Sequence, residues 1–155
     1  MCKHLIWQGF LLPDLYSEPY QNGVFFVEFT AVDMIASLKG KTLKPWFYYN
    51  RFPIAQLMAY CLENTGLLQE FIVSPSLVPA SPTLSWRDIN VPLSHYVDGL
   101  KYTDCYEILK DVLEANGLTL YSFRGYWFVK GISRKHEAIN SNSIVLNAAG
   151  IQTGL

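Results

Sequence analysis

Apolar and polar positions follow two rhythms along the chain. Over residues 24–30, VFFVEFT, side chains alternate: Val24, Phe26 and Glu28 fall on one side, Phe25, Val27 and Phe29 on the other. A period of two predicts a strand. Residues 4–11 suit a second strand, which Pro13 closes. The period then lengthens to that of a helix. Ile54, Leu57, Met58, Cys61 and Leu62 form one apolar stripe, started by Pro53 and stopped by Gly66. Cys105, Ile108, Leu109, Val112 and Leu113 form another, over about residues 103–116, stopped by Gly117. Asp104 and Glu107 sit at its start, where carboxylates oppose the helix dipole. A shorter helix is expected from Thr30, with Asp33 three residues on completing a capping box and Lys39-Gly40 ending it.

Between these elements lie strands and loops. Residues 70–74 read as a strand, and residues 118–123 and 126–130 as a hairpin around Arg124-Gly125, where glycine permits the positive φ of a tight turn. The aromatic stretch 44–52, KPWFYYNRF, reads as a loop. Residues 75–94 contain four prolines and leave room for one edge strand at most. The stripe from Ile54 to Leu67 is echoed 51 positions later by Cys105 to Leu118, a pattern that any two helices with glycine stops can share. Helix faces alternating with strands predict an α+β fold: β-rich layers, barrel-like or a split sheet, flanked by two to three short helices. Residues 1–138 are expected to form this domain, and 139–155 a tail or edge strand.

Composition changes the picture in one respect. The 155 residues are 50% hydrophobic and 15% aromatic but only 16% charged, against roughly 25% charged in an ordinary soluble domain. Tyr, Trp and Phe are enriched and charges depleted at the centres of protein interfaces, so part of this surface is expected to be covered by another protein. Net charge is −1, from 12 basic and 13 acidic residues. Arg134-Lys135-His136 is too short a basic run to follow a phosphate backbone, so nucleic acid is not an expected partner. No apolar stretch approaches the length of a membrane span. The first residues lack a signal-peptide cleavage site, and the chain reads as soluble and unprocessed.

Candidate chemistry is sparse. Cys2, Cys61 and Cys105 form no CxxC pair and no zinc pattern with His4, His95 or His136. Cys61 and Cys105 lie within apolar stripes and read as core residues in a reducing compartment. His95, in a proline-flanked loop, reads as a surface residue. No phosphate loop, nucleophile elbow or dinucleotide fingerprint is present, so neither an enzyme nor a cofactor is expected. The segment Trp46-Phe47-Tyr48-Tyr49 is the one loop with binding potential. Its rings could pack inward, anchor a protein interface, or stack on sugars as a carbohydrate-binding module. Trp86 and Tyr96 join it as interface candidates, while Thr30, Asp33, Cys105, Leu109, Gly125 and Trp127 are assigned structural roles.

Several segments together carry a family resemblance. They are Trp7-Gln8-Gly9-Phe10, Leu12-Pro13-Asp14 with Ser17-Glu18-Pro19-Tyr20, Phe29-Thr30-Ala31-Val32-Asp33 with Leu38-Lys39, Tyr96-Val97-Asp98, Asp104-Cys105-Tyr106-Glu107-Ile108-Leu109 and Gly125-Tyr126-Trp127-Phe128-Val129. In this order, over about residues 5–131, the chain resembles the baseplate-hub or tail-tip structural proteins of bacteriophages and prophages. The resemblance implies a virion structural protein, made in the bacterial cytoplasm and incorporated into the tail. It implies a homotrimer that joins tail tube to spike or baseplate. The family usually has Gly after the junction Asp, where this chain has Met34, so the start of the helix beyond it is expected to pack differently. The family also carries strands upstream of the Trp-x-Gly segment, which predicts an incomplete N-terminus and an open strand edge here.

Overall fold

The computed structural model describes residues 5–12, 23, 29–74, 89–132 and 144–154. In chain order the strands and helices are β1 (Phe10–Leu11), β2 (Ala31–Val32), β3 (Arg51–Pro53), α1 (Ile54–Glu63), β4 (Glu70–Val73), β5 (Asn90–Pro92), β6 (Val97–Asp98), β7 (Lys101–Tyr102), α2 (Cys105–Ala115), β8 (Leu118–Phe123), β9 (Tyr126–Gly131), β10 (Ile144–Leu146) and β11 (Gln152–Gly154). The class is α+β. The main sheet is open, in the order β11-β10-β4-β9-β8, and all pairs are antiparallel except β4 with β9. The barrel-like alternative is therefore corrected: β8 and β11 end the sheet without meeting. The other strands pair in three two-stranded pieces, β1-β2, β3-β5 and β6-β7.

Register explains how the sheet uses its two faces. Trp127 and Val129 of β9 share a face with Leu118 and Leu120 of β8, Phe71 and Val73 of β4, and Leu146 of β10. That face meets α1 and α2 in one continuous core. Trp127 is 1% exposed, and β9 carries three consecutive buried residues because the opposite face buries Phe128 as well. Arg124 and Gly125 take φ of 52° and 80°, the double left-handed turn whose twist suits a two-residue hairpin.

The helices start and stop close to where their stripes predict. α1 buries Ala55 and Ala59 as well as its stripe. The turn between β10 and β11 accounts for part of this: at Gly150, φ 73°, a Cβ would stand 2.5 Å from the Ala55 carbonyl oxygen. Residues 144–154 thus add two strands to the sheet and press on the first turn of α1. α2 is capped by Asp104, whose Oδ1 accepts from Glu107 N at 2.9 Å while Oδ2 accepts from Gly40 N at 2.9 Å. Burial pushes the Asp104 carboxyl up, but backbone donors at Gly40, Glu107 and Tyr106, with Lys39 nearby, outweigh it and hold the group below the usual carboxylate value. Cys61 and Cys105 are fully buried where the helices meet, both as free thiols. A hydrogen bond between them raises the pKa of Cys61 and lowers that of Cys105.

The third helix is corrected. Thr30 lies beside β2, and its carbonyl accepts from Leu12 N at 2.9 Å, so it belongs to extended backbone and caps nothing. The Asp33 carboxylate accepts from Ile35 N at 3.1 Å, two residues on, instead of reaching back to Thr30 N as a capping box requires. Met34 then takes φ 65°, and the chain continues as a single 3-10 turn, Ile35–Leu38. A left-handed residue at this junction breaks the helical path that a capping box would begin. The strand expected over residues 24–30 lies almost wholly outside the described residues. The strand expected over 4–11 is confined to Phe10–Leu11.

Candidate interface site

The aromatic segment forms a 3-10 turn, Pro45–Tyr49, held by Asn50 Nδ2 donating to the Trp46 carbonyl at 2.7 Å. With three residues per turn, neighbouring side chains diverge. Phe47 and Tyr48 point inward, whereas Trp46 is 56% and Tyr49 77% exposed. As interface candidates Phe47 and Tyr48 are therefore corrected: they are core residues. Tyr48 O–H donates to the Thr103 carbonyl at 2.7 Å and accepts from Leu43 N at 3.2 Å. Burial is the main reason its pKa is pushed up to about 12. Its ring lies 4.6 Å from that of Tyr102, whose own pKa is raised first by a hydrogen bond with Tyr49.

Trp46 stacks on Phe47 at 4.0 Å, and Phe47 is braced edge-on by Tyr60 at 4.8 Å. Beside Trp46 opens a cavity of about 390 Å³, lined by Thr42, Leu43, Lys44, Trp46, Phe47, Tyr60, Glu63 and Asn64. Tyr96 is half-buried and packs against the core rather than joining this surface. Trp86 lies outside the described residues. Cys105, Leu109 and Trp127 are buried in the hydrophobic core, and Gly125 lies in the hairpin turn with φ 80°.

Two further surfaces stand out in three dimensions. The first is the apolar end formed by the N-terminal segment. Leu5, Ile6, Phe10 and Leu11 are exposed, as are Phe29 and Leu68. The segment is pinned across the end of the hairpin: Arg124 N donates to the Ile6 carbonyl at 2.8 Å. Leu5 lies against Gly125, and the Phe10 ring against Gly66. The second is the sheet face turned away from the helices, where Tyr121, Phe123 and Tyr126 surround Phe128 at centroid distances of 5.5, 6.0 and 6.4 Å. Tyr121 and Phe123 remain exposed at its rim. Alternation in the hairpin is the sequence signal for this face, because residues 121, 123, 126 and 128 must share one side.

Among the described residues, no group of three or more His, Cys, Asp or Glu is placed to hold a metal ion, and no helix is long and apolar enough to cross a membrane. Comparison with known families, characterised proteins and solved structures finds no match to this chain.

Proposed function

We propose that this chain is a structural subunit of a bacteriophage tail hub, which acts by binding copies of itself and neighbouring tail proteins and carries out no catalysis. One observation carries the reading: large apolar side chains, Leu5, Ile6, Phe10, Leu11, Phe29 and Leu68, stand exposed on the N-terminal segment and the elements beside it. Large apolar side chains left in water on one short segment and the backbone beside it favour a contact with another protein. The segment is fixed by backbone bonding to Arg124 and by the β1-β2 ladder, so little order has to be gained on binding.

The specific identity rests on the ordered sequence resemblance, and one backbone feature is consistent with it. Where the hub family usually has glycine, Met34 takes the left-handed conformation that glycine would occupy without penalty. The resemblance supplies the expected arrangement, a homotrimer around the tail axis with contacts to tube and spike or baseplate.

The test is the solution mass of the purified chain and of Leu11→Glu. Leu11 is 62% exposed, so a glutamate there leaves the core intact. The native chain should assemble, and the variant should shift toward single chains because an unpaired charge is costly in an apolar contact. Equal association of the two would remove this surface from the interface.

A further inference from the structure

We infer that the cavity beside Trp46 binds a pyranose unit of an oligosaccharide. Its volume, about 390 Å³, lies within the range of small-ligand sites. Chemistry narrows the ligand. Leu43, Phe47 and Tyr60 contribute apolar and aromatic surface, and the exposed Trp46 ring offers a flat wall. Around them stand a hydroxyl on Thr42, an ammonium on Lys44, a carboxylate on Glu63 and an amide on Asn64.

A pyranose needs these two kinds of surface at once. Its axial C–H groups form an apolar face that stacks on an aromatic ring, while its edge presents hydroxyls that each donate and accept. Lys44 and Glu63 bring opposite charges to the lining, so the lining has no net charge to select an ion. Among the described residues neither of them is spent in an ion pair or a side-chain hydrogen bond. Asn64 Nδ2 is committed to the Tyr60 carbonyl at 3.0 Å, which leaves Oδ1 as the acceptor.

The site is also built before any ligand arrives. Trp46 is backed by Phe47, and the chain at Asn64 is held by Lys41 Nζ on its carbonyl at 2.7 Å. Side chains already fixed lose little entropy when a ligand binds, which matters for a weak, water-competing partner such as a sugar. This inference goes beyond the hub assignment and does not depend on the N-terminal apolar end.

The experiment is calorimetric titration of the full chain with cellotetraose, maltotetraose and chitotetraose in turn, on the native protein and on Trp46→Ala, Trp46→Phe, Glu63→Gln and Tyr49→Ala. At least one sugar should bind. Trp46→Ala and Glu63→Gln should each weaken binding by about tenfold or more, as expected when an aromatic anchor or a charged acceptor is lost. Trp46→Phe should retain part of the affinity, and Tyr49→Ala, outside the cavity, should retain nearly all of it. Leu11→Glu should bind sugar like the native chain, which separates this inference from the assembly reading. Binding by none of the three sugars, or undiminished binding by Trp46→Ala, would overturn it.

Discussion

Met34 is a side-chain-bearing residue held at φ 65°. An L-residue in this region costs about 1–2 kcal/mol, and glycine would remove that cost while losing roughly 0.5–1 kcal/mol through its freer unfolded chain. Met34→Gly should therefore raise the urea midpoint slightly. A lower midpoint would mean that side-chain packing at Met34 outweighs the backbone. Tyr48 makes a prediction about pH. Its folded pKa is about 12, against about 10 in an unfolded chain. The stability it contributes is complete below about pH 10 and is lost as pH rises toward about 12, because the unfolded state ionises first. Urea unfolding at about pH 9 and about pH 11 should show this loss, and Tyr48→Phe should reduce the difference between the two. An identical difference in the variant would assign the alkaline instability to other groups.

Among elements, the helices and the hairpin are the most legible in the sequence, because each combines a periodic stripe with a chemical stop. Asp104, the stripe from Cys105 to Val112 and the glycine at 117 define α2 almost to the residue. Leu109, 3% exposed, faces the sheet, and Leu109→Ala should cost about 2–5 kcal/mol in chemical unfolding. A loss near zero would place that stripe at the surface. The junction after β2 misleads because a capping box and an Asx turn use the same residue types. Thr30 and Asp33 fit either, and only the pairing of Thr30 with Leu12 decides between them. The aromatic stretch is harder still. Four adjacent rings carry no period, so their division into two inward and two outward depends on a 3-10 turn that the pattern does not announce. The cavity beside Trp46 is not legible either, since Glu63 and Asn64 end a helix that passes it only in three dimensions.

For the whole molecule, the aromatic residues among those described have two destinations. Trp127, Tyr48, Phe47 and Phe71 are buried, as a large aromatic core requires. Trp46, Tyr49, Phe10, Phe29, Tyr121 and Phe123 are exposed, and these are the rings that the proposed contacts would cover. Low charge is the complement of this arrangement. With a net charge of −1, association is expected to draw on apolar burial more than on ion pairs, and screening by salt should matter little. Light-scattering mass of the isolated chain over a dilution series, repeated from about 0.05 to about 1 M salt, probes both expectations together. A trimer held by apolar contacts should give a mass near three times the 17.7 kDa of one chain, with little change across the salt range. A single-chain mass at every concentration, or an assembly that moderate salt disperses, would show that apolar association is not what this surface is for.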